Sequence, residues 1–265
     1  MALDKMVVVT FRFYAELNDF LPPAKRQRSF TYALELSASV KDIIEALGVP
    51  HTEVDLILVN GQSVDFTYSV QDGDHISVYP VFESLDISPL VRVRPHPLRE
   101  SRFVLDVHLG RLAAYLRLLG FDSLYRNNYS DDELAQISSS QNRILLTRDR
   151  GLLKRSIVTH GYCLRTTNPR QQLAAVLRRF DLFAAIKPFR RCLRCNGKLQ
   201  PVDKAEIIDL LPPKTREYYD EFHRCAGCGH IYWKGSHYER MQLFIEGVLQ
   251  SIPGAKPPAG QNKAG

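Results

Sequence analysis

Long apolar runs, cysteine and tryptophan are all scarce in this sequence. The 265-residue chain has no run of eighteen apolar residues, and it holds five cysteines and one tryptophan. A membrane-spanning helix needs about 20 mostly apolar residues, so the sequence predicts no contact with a membrane. The first residues also lack the basic and then apolar pattern of a secretion signal, and we therefore expect a cytoplasmic protein. Cysteines in that reducing compartment stay thiols.

Acidic residues are scarce in most of the chain but not at its beginning. Residues 1–89 hold six Lys and Arg against thirteen Asp and Glu, whereas residues 90–265 hold 29 against 16. The first part therefore carries a net charge of −7 and the remainder +13. A basic domain attracts polyanions by releasing their counterions, so RNA or DNA is the leading class of partner.

Four of the five cysteines form two Cys-x-x-Cys pairs, Cys192 with Cys195 and Cys225 with Cys228. Asn-Gly follows the first pair, and the second contains Gly227 and is followed by Gly229, so both turns can adopt the positive φ angles of zinc knuckles. The spacing predicts a structural zinc ribbon, because four thiolates leave no open position for a reacting water. Two disulfides, or a redox pair that occurs twice, are the alternatives. The remaining cysteine, Cys163, is interpreted as a buried apolar residue.

The first 85 residues are predicted to form a separate α+β domain. Their pattern gives two strands, a helix that Ser39 caps and Gly48 ends, and two further strands, in the order ββαββ. Residues 6–83 resemble the ubiquitin-like β-grasp fold of the sulfur-carrier type (ThiS/MoaD-like). A sulfur carrier needs a free C-terminal Gly-Gly, which this segment lacks, so we do not expect sulfur transfer. The acidic domain could instead recruit a protein partner or cover the basic domain, and the sequence does not choose between these roles.

The later part of the chain is predicted to begin with an α/β domain over residues 101–187. Apolar strands alternate with helices there, which predicts a parallel sheet with helices on both faces. The strands are predicted at residues 103–107, 123–126, 143–147 and 161–166, and the helices at 109–119, from 131, and at 169–180. We interpret residues 86–100 as a linker, 188–250 as the zinc ribbon with a closing helix, and 251–265 as a disordered tail.

Three aspartates fall near the predicted ends of strands or beginnings of helices. Asp106 ends the first strand, Asp149 follows the third, and Asp131 begins a helix with a Ser-x-x-Glu capping box. Ligands of open parallel sheets bind at the carboxyl ends of the strands, so these carboxylates can converge. Such a cluster needs compensating cations, and Mg²⁺ or Mn²⁺ would fit. Asp131 could instead be a first-turn acid and Asp149 a turn former.

Four arginines are candidates for holding the phosphates of a nucleic acid: Arg111, Arg117, Arg148 and Arg150. The last two flank Asp149, and the first two project from the helix after Asp106. A solvated helix face is the alternative for Arg111 and Arg117. Aromatic side chains just after the last cysteine could stack on bases, although core packing is the favoured interpretation for Trp233.

Together these blocks resemble PIN-type metal-dependent nucleases and, more closely, the mutator-seven C-terminal RNase domain family. The similarity lies in residues 106–120 (D-x-x-LGRLAxYLRLLG), 145–153 (LLTRDRGLL), 191–196 and 225–238. It implies a PIN-like fold with a zinc ribbon, Asp106, Asp131 and Asp149 as metal-binding catalytic carboxylates, and the four paired cysteines as zinc ligands. PIN nucleases often carry a further acid between the first two aspartates, where this chain has only Asp122.

The resulting functional hypothesis is a PIN-like Mg²⁺- or Mn²⁺-dependent endoribonuclease that hydrolyses single-stranded RNA. Structural Zn²⁺ would order the ribbon, and RNA would be the main partner. A non-catalytic RNA- or ribosome-binding protein on the same scaffold is the alternative hypothesis. A role centred on the β-grasp domain is the third.

Overall fold

A computed structural model of the chain describes residues 6–80, 93 and 101–250. The predicted tail and all of the predicted linker except Val93 lie outside the described residues. The described residues form two compact units. One comprises those of residues 1–100 together with 130–163, and the other comprises those of 101–129 together with 164–265. The domain boundaries proposed from the sequence stay a prediction.

The N-terminal domain is a five-stranded sheet with one α-helix. Its elements are β1 (Val7–Phe13), β2 (Phe30–Leu34), α1 (Val40–Ala46), β3 (Leu56–Val59), β4 (Gln62–Val64) and β5 (His75–Tyr79). The strand order is β2-β1-β5-β3-β4, with β1 parallel to β5 and the other pairs antiparallel. The predicted order ββαββ is wrong by one strand. It misses β4, because three residues after a tight turn are too few to show an alternating pattern.

Alternating apolar residues bury one face of this sheet. Phe11 and Phe13 on β1 are 0% and 1% exposed, and their rings stack 5.8 Å apart between centroids. Ile43 and Ile44 on α1 are also buried. The predicted cap is confirmed, since the Ser39 hydroxyl accepts a hydrogen bond from the backbone N–H at the third helical position. The α+β domain of the prediction is thus the one observed.

The α/β part alternates strands and helices as expected. Its elements are β6 (Phe103–Leu105), α2 (Gly110–Leu118), β7 (Ser123–Leu124), α3 (Asp131–Ser140), β8 (Ile144–Thr147), α4 (Arg150–Leu153), β9 (Gly161–Cys163) and α5 (Pro169–Arg179). In the second unit β6 pairs with β7, and in the first unit β8 pairs with β9, both in parallel. The predicted strands over 103–107 and 161–166 are shorter in the structure. The first stops at Leu105, because a 3-10 turn begins immediately after Asp106.

The segment 130–163 packs against the N-terminal domain within the first unit. The two ring nitrogens of His51 lie 2.6 Å from Glu45 Oε1 and 2.7 Å from the carbonyl oxygen of Val158. Glu53 is 0% exposed, and its Oε1 accepts a hydrogen bond of 2.6 Å from the backbone N–H of Cys163. Separating the two segments would leave these buried polar groups without partners, and each unpaired group costs about 1 to 3 kcal/mol. These contacts therefore join the β-grasp domain to the end of β9.

The ribbon is a three-stranded antiparallel sheet with helical additions. Its elements are β10 (Leu199–Val202), α6 (Lys204–Ile207), α7 (Pro213–Tyr218), β11 (Phe222–Cys225), β12 (Ile231–Trp233) and the closing helix α8 (Ser236–Gln250). The strand order is β10-β11-β12. Trp233 packs against a small buried cluster of Ile207, Leu211 and Phe222, which agrees with its interpretation as a core residue. No helix in the described ranges is both long and apolar enough to cross a bilayer.

A close backbone approach joins α2 to the chain that leads into the ribbon. Gly120 ends the helix region with a φ of +94°, and a Cβ there would lie 2.1 Å from the carbonyl oxygen of Lys187. The backbone N–H groups of Lys187 and Phe189 donate to the carbonyls of Leu119 and Leu118. Only glycine allows both this φ and this approach. The α/β half of the second unit and the ribbon are thereby held together.

Candidate functional site

The two cysteine pairs meet in space. Sγ of Cys192 lies 3.7 Å from that of Cys228, Sγ of Cys195 lies 3.4 Å from that of Cys225, and all four lie within 4.8 Å of one another. A tetrahedral zinc with Zn–S bonds of about 2.3 Å implies S···S distances of about 3.8 Å. A disulfide would place two sulfurs about 2.05 Å apart. The cluster is therefore compatible with zinc, and the disulfide alternative does not describe it.

Hydrogen bonds favour the thiolate of Cys192, whereas burial raises the pKa of the Cys195 thiol. The backbone N–H groups of Gly227 and Cys228 point at the sulfur of Cys225 at 3.3 and 3.5 Å. The Tyr232 hydroxyl lies 3.2 Å from the sulfur of Cys192. Burial opposes ionisation of Cys192, but hydrogen bonds from Tyr232 and from backbone N–H groups lower the pKa of this thiol to about 7. A thiolate is the form that binds a metal.

Arg117 is buried against the first knuckle, where the sequence predicts a phosphate-binding or solvated side chain. It is 4% exposed, and its Nε donates to the carbonyl of Ser123 at 2.9 Å. Its Nη1 donates to the carbonyls of Leu193 and Arg194 at 3.0 and 3.1 Å. Burial lowers the pKa of this guanidinium, while the nearby cysteine sulfurs and a carboxylate oppose that shift. The expectation that Arg117 contacts RNA is corrected: it is a structural cation beside the cysteines.

Asp122, the acid between the first two candidate aspartates, also has a structural role. Its two oxygens accept hydrogen bonds from Nδ2 of Asn196 at 2.8 Å and from Arg191 at 3.4 Å. Asn196 Oδ1 in turn accepts from the backbone N–H of Ser123 at 2.9 Å. These bonds hold the residues on either side of the Cys192–Cys195 turn against the beginning of β7. Neither Asn196 nor Tyr232 is identifiable as a positioning residue from the sequence, because their partners come from distant segments.

Asp149 caps α4 at the carboxyl end of β8. Its Oδ1 accepts a hydrogen bond of 2.7 Å from the backbone N–H of Gly151, and its own N–H donates to Thr147 Oγ1 at 2.9 Å. The side chain is nevertheless exposed. The turn-former interpretation is therefore correct in part, since one carboxylate oxygen is used by the turn. The hydrogen bond to Gly151 uses Oδ1 of Asp149 and does not use the second carboxylate oxygen.

Asp131 begins α3 after the predicted capping box, which the structure confirms at Ser130 and Glu133. The next residue, Asp132, pairs with Arg155. Asp131 is exposed, and its carboxylate makes no hydrogen bond or ion pair with a described residue. Of the three consecutive acids, Asp131 is thus the one whose carboxylate has no local partner.

Asp106 follows β6 directly and is half-buried at the beginning of the 3-10 turn Val107–Leu109. It belongs to the second compact unit, whereas Asp131 and Asp149 belong to the first. A metal site shared by all three aspartates therefore stays a prediction.

The other candidate arginines differ in their surroundings. Arg111 and Arg148 are exposed and have no hydrogen-bond or ion-pair partner among the described residues. The Arg150 guanidinium lies 4.9 Å from the centre of the Phe20 ring and 3.5 Å from the Phe20 carbonyl oxygen. Its contact is thus with the N-terminal domain. Of the four candidate arginines, Arg111 and Arg148 are thus the two without a polar contact in the part of the chain that the structure describes.

The fold defines an α/β protein with a ribbon whose four-cysteine cluster is compatible with zinc, and with a ubiquitin-like N-terminal domain. The family model for the Mut7-C RNAse domain matches residues 101–245, more than half of the chain, and the model for Mut7-C ubiquitin matches residues 6–86. The chain therefore belongs to the Mut7-C RNAse domain family. The resemblance inferred from the sequence is confirmed.

A human protein named "Exonuclease mut-7 homolog" is 25% identical to the chain over 241 residues. The match covers 62% of this chain and 28% of the human protein. The chain thus spans less than a third of that relative. The name of this relative agrees with membership of a nuclease family.

Proposed function

We propose that this chain is a metal-dependent ribonuclease that hydrolyses phosphodiester bonds of single-stranded RNA. The observation that carries the proposal is that the carboxylates of Asp131 and Asp149 are exposed and are not paired with a cation among the described residues. Both are also fixed by their helix beginnings. Membership of an RNase domain family supports the reaction type.

Asp106, Asp131 and Asp149 would hold Mg²⁺ or Mn²⁺, since carboxylate oxygens are the ligands that these ions prefer. Such an ion lowers the pKa of a bound water and stabilises charge on a phosphoryl oxygen. The chain itself orients the carboxylates. Gly151 fixes one oxygen of Asp149, and the capping box fixes the backbone that carries Asp131.

The basic side chains have separate roles in this proposal. Arg148 and Arg111, exposed and unpaired, would bind the phosphates of the RNA strand. Arg150 stacks on Phe20 and would hold the loop that carries Asp149 against the N-terminal domain. Loss of Arg148 should therefore weaken RNA binding in a salt-dependent way.

The test uses the purified full chain and a labelled single-stranded RNA. Cleavage should require added Mg²⁺ or Mn²⁺, and Asp149→Asn should slow it about 100-fold or more. Asp132→Asn is the matched control, because it makes the same change of charge on a neighbouring helix but removes an acid that pairs with Arg155. Equal cleavage by both variants would refute the assignment of Asp149.

Two further substrates sharpen the test. A circular single-stranded RNA can be opened only by an endonuclease, so it separates internal cleavage from cleavage at an end. Salt-sensitive binding that survives Asp106→Asn together with Asp149→Asn, without cleavage in any metal, would instead support a non-catalytic RNA-binding protein.

A further inference from the structure

A pocket in the second unit lies beside the zinc-binding ribbon and has no role in the proposed hydrolysis. Its volume is about 240 Å³. It lies between the ribbon sheet, the chain that enters the ribbon and the beginning of α8, and its lining includes Phe189, Arg190, His223, Trp233 and Tyr238. Pockets that enclose drug-sized ligands measure about 300 to 1,000 Å³. This one is suited to a single planar ring.

Fixed aromatic rings form much of its wall. The rings of Phe189 and Tyr238 lie 4.1 Å apart between centroids and are tilted by 32°. Tyr232 also lines the pocket, and its hydroxyl accepts a hydrogen bond of 3.0 Å from the backbone N–H of Leu193. Trp233 packs against the buried cluster that contains Phe222. Rings that are already held in place lose little conformational entropy when a ligand stacks on them.

Polar groups border these rings. Arg190 is exposed and His223 is half-buried, and neither side chain has a hydrogen-bond or ion-pair partner in the part of the chain that the structure describes. The charge of Lys234 is already used, because its Nζ lies 2.5 Å from Glu221 Oε2. Of the four basic residues in the segment 188–198, Arg190 lines the pocket, whereas Arg191 pairs with Asp122. Arg190 is therefore the cation that this rim offers to a phosphate.

We propose that this pocket holds one base of a single-stranded RNA, with Arg190 on an adjacent phosphate. Aromatic rings beside basic side chains are the combination by which proteins bind single strands without reading their sequence. The base would stack against the ring of Tyr238 or Trp233, and His223 would offer a hydrogen bond to its edge. The inference rests on RNA being the substrate in the proposed function, and it adds a binding subsite distinct from the aspartates.

The chain contains its own reporter for this site, since Trp233 is its only tryptophan. A single-stranded oligouridylate should quench Trp233 fluorescence without any added divalent ion. An abasic ribose-phosphate oligomer of equal length has the same charge but no bases. It should bind at least about 5-fold more weakly and leave the fluorescence unchanged, because stacking is worth about 5- to 150-fold in affinity per base.

Variants separate stacking from charge. Tyr238→Ala should weaken oligouridylate binding about 5-fold or more, whereas Tyr238→Phe keeps the ring and should bind like the unmodified chain. Arg190→Gln should weaken binding and reduce its dependence on salt. Lys214→Gln removes one charge from the same ribbon at an exposed position outside the pocket, and it should have a smaller effect. Circular dichroism is to be used to check that each of the four variants is folded.

The outcomes separate this inference from the proposed function. Cleavage of RNA with no response of Trp233, or equal binding of the abasic oligomer, overturns the pocket assignment and leaves the ribonuclease intact. Base-dependent quenching that Tyr238→Ala abolishes, without cleavage in any metal, supports the pocket and refutes the catalytic proposal. If neither binding nor cleavage occurs, both are refuted.

Discussion

Replacing Arg117 by methionine removes the guanidinium that joins α2 to the first cysteine knuckle. The side chain is 4% exposed and donates to the carbonyls of Ser123, Leu193 and Arg194. Methionine has a similar length and keeps most of the packing, so the change tests the polar contacts. The three carbonyls would lose their charged donor and, where water does not reach them, remain unpaired.

The expected cost follows from these contacts. A hydrogen bond from a charged group contributes about 1.5 to 3 kcal/mol, and Arg117 makes about two independent ones, because Leu193 and Arg194 share one nitrogen. The desolvation of the guanidinium offsets part of that gain. We expect a net loss of about 3 kcal/mol in the free energy of unfolding, which lowers Tm by about 6 to 12 °C for a chain of this size.

Metal affinity should fall as well. Four thiolates around a divalent ion carry an excess of negative charge, and Arg117 lies beside Cys192 and Cys195. Losing a group that supports metal ligands typically lowers affinity about 10- to 100-fold.

Thermal denaturation and zinc transfer to a chromogenic chelator measure the two effects. Arg111→Met makes the same substitution on an exposed position of the same helix and should change stability by less than about 0.5 kcal/mol. If Arg117→Met matched Arg111→Met in both assays, the structural role of Arg117 would be refuted.

Two further predictions concern the joints within each unit. Gly120→Ala should cost more than about 2 kcal/mol, because its Cβ would meet the Lys187 carbonyl at 2.1 Å, whereas Gly247→Ala meets nothing within 4 Å and should stabilise α8 by about 0.5 to 1 kcal/mol. A Tm of Gly120→Ala at or above that of the unmodified chain would contradict this. His51→Leu should cost about 2 kcal/mol by removing both ring hydrogen bonds, while exposed His75→Leu should be nearly neutral. Equal urea midpoints for the two histidine variants would show that His51 does not hold the N-terminal domain in place.

Much of the fold was predictable because its signals are local. The Ser39 and Ser130 caps act within three residues, and both are observed. Strand ends were less predictable. The strand at 103 stops before Asp106, where a 3-10 turn replaces the predicted continuation. β4 was missed because a three-residue strand is defined by its pairing partner more than by its own composition.

The residues of the candidate sites also differ in whether a local pattern in the sequence identifies them. Cys-x-x-Cys spacing is a local signal, so the four cysteines that cluster in space could be identified from the sequence. Whether an arginine on a helix is exposed or buried depends on distant parts of the chain. Arg111 and Arg117 lie on one helix, yet one is exposed and the other is buried under the knuckle. Only the packing of the ribbon against α2 separates them.

The sequence by itself determined the family, the two cysteine pairs and the alternation of strands and helices, because each depends on the type and spacing of neighbouring residues. The tertiary structure decided which charged groups are available. It placed Arg117, Asp122 and Arg150 in contacts with distant segments and left Arg111 and Arg148 exposed. It also assembled the aromatic pocket from three separated parts of the chain. Such contacts arise from long-range packing, which no local pattern in the sequence encodes.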